Sequence, residues 1–391
     1  MNNFDYAERV RHLPFYLYPT IEEVTEQAMK NGRDIIDLST GAPKFPTPGH
    51  IIKKLQQACE EPCTHGYGNL KGYPPVRKAI ASWYRRRFGV ALDPDTEVIT
   101  FVGSKEGLAF FPLAFINPGD VVLIPDPGYP TYRYAASFAG AEMVTFPIRP
   151  ENQYLPDFEE IPPAVAEKAK IIFVNYPNNP TAATADKPFF EQLVQWAQKF
   201  NVMIAHDAAY SEVSFDGYRA PSFLEASGAK DFGVEFHTLS KTYCMPGWRI
   251  GFAVGNRNII QGLLEVKRVS SSGHFVALEM AGVEALETQH LELDGNNRLF
   301  QERRDFAISE LERFGIRVMP PRGSFYLWFP IPGNKDSLGF SKKVILETGV
   351  IIFPGIGYGD NGEGYVRLAL VQDLPRLQEA FKRLSPYLIT S

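Results

Sequence analysis

The chain is poor in the features that would assign it quickly. Among 391 residues there are three cysteines, Cys59, Cys63 and Cys244. Three cannot build a disulfide framework, so a reducing, cytoplasmic setting is the simplest expectation. Cys59 and Cys63 stand near His65, but no fourth ligand is close and the spacing fits no zinc pattern, so no metal is expected. No apolar run approaches the ~18–20 residues of a membrane span. The first residues lack a basic stretch followed by an apolar one, so no secretory leader is expected. Basic residues are not in excess: 40 Lys and Arg face 45 Asp and Glu, for a net charge of −5. That excludes the basic footprint of a nucleic-acid binder. The one tight basic run, Arg85-Arg86-Arg87, lies in an amphipathic pattern over 79–88 and reads as a solvated helix face. Internal repeats and low-complexity tracts are absent as well.

What is present is a balanced globular composition, 45% hydrophobic and 22% charged, enough for one large or two ordinary domains. Short β-branched runs alternate with helical patterns. The runs are Val98–Phe101, Val121–Ile124, Met143–Phe146, Ile171–Val174, Val202–Ala205 and Phe236–Leu239; residues 189–197 have helical periodicity. Such alternation predicts crossover units and a mainly parallel α/β sheet with helices on both faces. After about residue 285 the pattern changes to a long helical segment with Arg298, Arg303 and Arg304, then the strand-like runs Phe325–Phe329 and Tyr365–Leu370. This predicts three parts: an arm at 1–48, a large domain at 49–285, and a smaller α+β domain at 286–391. The arm is expected to pack with the smaller domain.

Polar residues of chemical interest follow the strand-like runs. Ligands of open α/β sheets sit outside the carboxyl ends of the strands. After the first run comes Gly103-Ser104-Lys105, a tight turn into a helix whose free N–H groups suit a phosphate or simply carry a cap. Tyr129, in Asp126-Pro127-Gly128-Tyr129-Pro130, either stacks on a flat ligand or packs in a turn. Asn179, in Asn175-Tyr176-Pro177-Asn178-Asn179-Pro180, can present an amide to a ring oxygen. Asp207 ends an apolar run and, if buried, needs a partner; a protonated pyridine nitrogen would serve, and Tyr210 could donate to the ring's oxygen. His206 alternates away from Asp207 and reads as a packed residue. Lys241 stands among Thr238, Ser240 and Arg249. Its amine can form a Schiff base with an aldehyde, and its neighbours can seat a phosphate; alone it could equally be a surface lysine. Arg367 lies in an apolar strand, where it either clamps a carboxylate or makes a structural ion pair.

In this order and spacing, the motifs resemble the class I/II aminotransferases, fold-type-I pyridoxal-phosphate enzymes, from about Asp37 to Leu370. The resemblance implies pyridoxal 5'-phosphate as cofactor and an amino acid and a 2-oxo acid as substrates. It implies Lys241 as Schiff-base residue, Asp207 on the pyridine nitrogen, Asn179 and Tyr210 on the phenolic oxygen, and Tyr129 on the ring. Gly103, Ser104, Lys105, Thr238, Ser240 and Arg249 would surround the phosphate, and Gly41, Asn179 and Arg367 would hold the substrate carboxylate. Tyr67 matches a tyrosine that reaches the partner subunit's phosphate, implying a homodimer with shared sites.

Within the family the text is most similar to the LL-diaminopimelate aminotransferase branch, through Val102–Gly107, His206–Glu212 and Gly357–Arg367. That branch implies a role in lysine biosynthesis. The chain departs from its usual text at Ala42 and Lys44, in Gly41-Ala42-Pro43-Lys44, and at Arg268–Phe275 around His274. Specificity is therefore expected near Lys44 and His274, with Lys105 and Tyr16 as further candidates for a distal polar group. The same lysine and aspartate would also serve a lyase, a decarboxylase or an amino-acid oxidase. A non-enzymatic ligand-binding domain of a regulator would need a DNA-binding segment, and no basic extension supplies one.

Overall fold

The alternating runs assemble into one large sheet. The computed structural model describes residues 4–288, 291–333 and 336–389. In chain order the strands are β1 (Ile36–Asp37), β2 (Val98–Val102), β3 (Val121–Asp126), β4 (Glu142–Pro147), β5 (Ala169–Asn175) and β6 (Met203–Asp207). They continue with β7 (Gly233–Thr238), β8 (Ile250–Gly255), β9 (Tyr326–Pro330), β10 (Val350–Ile351), β11 (Phe353–Pro354) and β12 (Tyr365–Ala369). Seven of them form a sheet in the order β2-β8-β7-β6-β5-β3-β4. Only β8 runs against its neighbours β2 and β7. β2, β3, β5, β6 and β7 therefore share one direction, and their carboxyl ends share one edge.

Every predicted run becomes a strand, with no end moved by more than three residues. The two-residue strands β1, β10 and β11 were not anticipated, and in the large sheet neither was β8. Its text, Ile250-Gly251-Phe252-Ala253-Val254-Gly255, carries two glycines, which weaken a strand signal. The structure explains Gly251: a Cβ there would strike the Ser104 amide and the Gly103 backbone. β4 also departs from the expectation of apolar strands covered on both faces. It is an edge strand that exposes Glu142, Met143 and Thr145.

The interior strands are apolar because helices cover both faces. On one face, helix Lys187–Phe200 buries Phe190, Leu193 and Val194 against Ile172 and Ile204. Asp186 caps its first turn through the Phe189 amide, Pro188 fits that turn, and Asn201 ends it in the left-handed conformation. On the other face, Ser104–Phe115 and Arg257–Ser270 bury Phe111, Ile260 and Leu263 against Phe173 and Phe236. Each fully buried Leu or Phe contributes roughly 1.5–3 kcal/mol.

A second set of elements has its own cores. β9, β12 and β11 form an antiparallel sheet, and β1 pairs in parallel with β10. Leu327, Phe329, Leu368 and Phe381 make one cluster. Leu17, Ile21, Val24 and Ala28, spaced to line one face of helix Tyr18–Lys30, pack with Trp328, Ile345 and Phe353 in another. The N-terminal segment is thus built into the C-terminal sheet system.

One reading of the basic run is corrected. Arg85 and Arg86 are exposed on helix Pro74–Phe88, but Arg87 turns inward. Its Nε donates to Glu212 at 3.0 Å, with both side chains about nine-tenths buried. A desolvated guanidinium needs such a partner. Cys59 and Cys63 are exposed and Cys244 is buried.

Candidate active site

The shared carboxyl edge opens into a cavity of about 240 Å³, and most of the singled-out residues line it. Gly41, Ser104, Lys105, Tyr129, Asn179, Asp207, Tyr210, Thr238, Ser240, Lys241, Arg249 and Arg367 all face it. They arrive on the loops after β2, β3, β5, β6 and β7, with Arg249 just before β8, Gly41 after β1 and Arg367 on β12.

One end of the cavity is built for an anion. β2 gives way at Gly103, φ +76°, directly to helix Ser104–Phe115. Gly103, not Ser104, is the N-cap, so the serine hydroxyl makes no capping bond. A side chain at Gly103 would collide with the Arg249 guanidinium. Arg249 lies there in the left-handed conformation, φ +57°, and donates to the carbonyls of Pro246 and Val102 at 2.9 and 3.3 Å. These contacts leave further guanidinium donors toward the opening. Thr238 caps the turn Leu239–Thr242, and its hydroxyl donates to Ser240 Oγ at 2.9 Å. A helix start, two hydroxyls, Arg249 and the Lys105 ammonium suit a phosphate. Burial, with Arg249 nearby, lowers the Lys105 pKa.

At the cavity floor lies Asp207. It is buried, and Oδ2 accepts from the Tyr132 hydroxyl at 2.9 Å while Oδ1 accepts from the Ala209 amide at 3.2 Å. Burial raises its pKa against the help of Tyr132. No cationic side chain pairs with it among the described residues. A protonated ring nitrogen would supply the missing charge.

Asn175 joins this floor to the next loop. Its Nδ2 donates to the Asp207 carbonyl at 2.6 Å, and its Oδ1 accepts from the Asn179 amide at 2.7 Å. The Asn179 side-chain oxygen accepts from Arg367 Nη1 at 2.7 Å, which leaves the amide hydrogens of Asn179 to donate.

Arg367 is 2% exposed. Its partners are Asn179, the Ser39 carbonyl and the ring of Tyr326, 4.1 Å below the guanidinium carbon. Its Nε has no partner, and no carboxylate pairs with it among the described residues. Arg367 therefore makes no structural ion pair among the described residues, and a buried guanidinium without a counter-ion suits a carboxylate. Across from it, Lys241 Nζ donates to the Gly41 carbonyl at 2.5 Å. Burial, then the charges of Arg367 and Arg249, lower the lysine pKa to about 8; Asp207 works the other way.

Three residues expected at the substrate side are not there. Lys44 is exposed and does not line the cavity. Tyr16 sits outside it, edge-on to Tyr134 at 5.6 Å. His274 is buried behind the phosphate end, where its Nε2 reaches the Arg249 carbonyl at 3.1 Å and its Nδ1 lies 3.5 Å from Glu279. It braces Arg249 instead of meeting a substrate. Tyr67 is 95% exposed and lies outside this chain's own cavity. Conversely, Tyr326, Tyr18 and Thr40 line the cavity without having been anticipated. Tyr326 bonds Tyr210 hydroxyl to hydroxyl at 2.9 Å. Its apolar strand context gave no signal, because only the topology of β9 and β12 brings it beside Arg367.

The family model for aminotransferases of class I and II matches residues 33–384. The chain belongs to that family. This aminotransferase is 48% identical over 378 residues to an LL-diaminopimelate aminotransferase of Syntrophobacter fumaroxidans, covering 97% of each chain. It is 46% identical over 381 residues to one from Aquifex aeolicus, covering 97% of this chain and 98% of that one. Its fold superposes on substrate-bound BacF from Bacillus subtilis with a TM-score of 0.96 and 38% identity, covering 99% of each chain. A double mutant of Thermus thermophilus aspartate aminotransferase gives 0.92 at 27% identity, over 99% of this chain and 100% of that one. The aminotransferase is a pyridoxal-phosphate enzyme of the fold-type-I class, and it moves an amino group from an amino acid to a 2-oxo acid. The buried unpaired Asp207, the donor-rich anion seat and Lys241 fit that cofactor.

Proposed function

We propose that this aminotransferase takes LL-diaminopimelate as amino donor and 2-oxoglutarate as acceptor, and that the cavity residues divide the work as follows. Lys241 supplies the amine that anchors the cofactor. Asp207 holds the ring nitrogen, Asn179 and Tyr210 the phenolic oxygen, and Tyr129 the ring face. Ser104, Lys105, Thr238, Ser240 and Arg249 hold the phosphate, with Gly103 giving Arg249 its room. When bound, the cofactor serves as an electron sink for charge developing at the substrate's Cα.

The rest is the chain's own work. Arg367 grips the α-carboxylate, with Gly41 and Asn179 beside it, and so orients the Cα–H bond. The Lys241 amine would take that proton as a base and, once protonated, would return it as an acid. Tyr326, under the guanidinium and bonded to Tyr210, keeps the two ends of the site in register. The observation that carries this reading is the buried, unpaired Arg367 facing Lys241 across one cavity. The donor identity rests on the relatives named LL-diaminopimelate aminotransferase.

We further propose a cytoplasmic homodimer in which Tyr67 serves the partner's phosphate, and boundaries near residues 48 and 285 between the arm, the large domain and the small domain. The test is a donor screen against 2-oxoglutarate with LL-diaminopimelate, aspartate, glutamate, alanine and aromatic amino acids. LL-diaminopimelate should give the highest kcat/KM, with strict dependence on the acceptor. Lys241→Ala should lose roughly 10²–10⁴-fold or more in rate. No turnover of LL-diaminopimelate would retire the donor, and an active Lys241→Ala would retire the mechanism.

A further inference from the structure

Beneath the cavity floor, two hydroxyls, a backbone amide and two histidine nitrogens converge on one buried carboxylate. Glu235, on β7, is 0% exposed. Its Oε1 accepts from the Tyr84 hydroxyl at 2.6 Å and faces His237 Nε2 at 2.8 Å. Its Oε2 accepts from the Ser222 hydroxyl and the Phe223 amide, each at 2.9 Å, and faces His206 Nδ1 at 2.9 Å. The other nitrogen of His206, Nε2, lies 3.1 Å from the Tyr176 carbonyl.

A carbonyl only accepts, so Nε2 carries a hydrogen. A carboxylate already surrounded by hydroxyl and amide donors accepts as well, so Nδ1 carries the other. An imidazole protonated on both nitrogens is a cation. We propose that His206 is a standing imidazolium, paired with Glu235, and that this pair positions the floor of the cofactor site and holds Asp207 ionised. The second half rests on the reading that Asp207 meets the cofactor's ring nitrogen.

The connections are short. His206 precedes Asp207 on β6 and points to the opposite face of the strand. Its bond to Tyr176 pins the start of the loop that carries Asn179. Glu235 also holds His237, which precedes Thr238, the cap of Lys241's turn. One carboxylate therefore ties three of the chain segments that build the site. The groups around His206 are Glu235 from β7, the Tyr176 carbonyl, the ring of Phe190 from helix Lys187–Phe200 at 4.9 Å, the ring of Phe223 at 5.9 Å, and Asp207 next to it in sequence. His237 and Tyr84 are reached through Glu235. Burial works to neutralise Asp207; the Tyr132 hydroxyl and the Ala209 amide oppose it first, and His206 and His237 add to them.

The test begins with the unaltered protein. Nitrogen-15 NMR of histidine-labelled protein, with and without pyridoxal phosphate, reads the protonation of His206 directly. At pH 8 both ring nitrogens should carry a proton. A single proton at pH 8 overturns the pair, whatever the cofactor does. Glu235→Gln then removes the carboxylate charge and keeps the volume. His206 should lose a proton, the labelled cofactor's ring nitrogen should deprotonate at lower pH, and the cofactor Kd should rise about tenfold. His206→Gln, which keeps a donor for Tyr176, gives the same ring-nitrogen readout should Glu235→Gln fail to fold. An unmoved ring-nitrogen titration in the folded variant overturns the positioning role. Wild-type protein that binds no pyridoxal phosphate would instead overturn the functional reading, leaving the His206 result intact.

Discussion

At the scale of the residue, Lys241 depends on its surroundings for its chemistry. An amine is a nucleophile and a base only without its extra proton. An ordinary lysine holds that proton to pH ~10.4. Lys241 is desolvated and shares its cavity with Arg367 and Arg249, and its pKa falls to about 8. The sign follows: below pH 8 the ammonium form dominates, and above it the free amine does. In cofactor-free protein, the rate of Lys241 modification by an amine reagent should therefore rise through a midpoint near pH 8. Peptide mapping separates it from Lys267, also lowered to about 8 by burial but enclosed against the Thr100 carbonyl. Arg367→Ala should move the Lys241 midpoint upward by removing a positive charge. A midpoint near pH 10 in the unaltered protein would remove the basis for Lys241 as a base near neutrality. Residues of this kind were legible in the sequence, because hydroxyls, glycines and an arginine flank the lysine within a few positions. Tyr326 was not, since its partners Tyr210 and Arg367 are distant in sequence. His274 was misplaced for the related reason that departure from a motif marks a place in the text and says nothing of which way a side chain faces.

At the scale of the element, the junction of β2 with helix Ser104–Phe115 shows how a strand end becomes a phosphate seat. The chain must turn at a positive φ, and the space where a Cβ would stand is filled by Arg249. Gly103→Ala faces both obstacles. A positive φ combined with ψ 156° is open essentially to glycine alone and costs another residue about 1–3 kcal/mol, and the guanidinium must move off the seat. The variant should bind pyridoxal phosphate at least about tenfold more weakly, measured by fluorescence titration, with its far-UV circular dichroism unchanged. Unaltered affinity would show that Arg249 does not need this position. The parallel strands were readable because a strand covered by helices on both faces must be apolar at every position, and short β-branched runs carry that pattern openly. β8 was hidden because its glycines, Gly251 against the Gly103–Ser104 backbone and Gly255 against the Gly233–Val234 backbone, erase the composition that marks a strand.

At the scale of the whole molecule, the site is short of one group that the family resemblance assigns to it. Tyr67 is 95% exposed and belongs to no cavity of its own chain, although the loop around it is held in place: a side chain at Gly68 would strike the His274 carbonyl. Phe4, Tyr6 and Phe15 are likewise exposed by more than 70%. A single chain gives such residues no account, and sequence reasoning reached Tyr67 through family likeness alone. If Tyr67 serves the partner's phosphate, two inactive chains should rescue each other. A Lys241→Ala chain keeps a good Tyr67, and a Tyr67→Ala chain keeps a good Lys241. In a closed two-fold dimer each hybrid contains one intact site and one doubly damaged site. Half of the dimers in an equal, fully exchanged mixture are hybrids, so about a quarter of wild-type activity should return from parents that have little. The gain should follow the kinetics of subunit exchange and vanish when exchange is blocked by cross-linking each parent beforehand. Activity that stays at the mean of the two parents would place Tyr67 outside the partner's site.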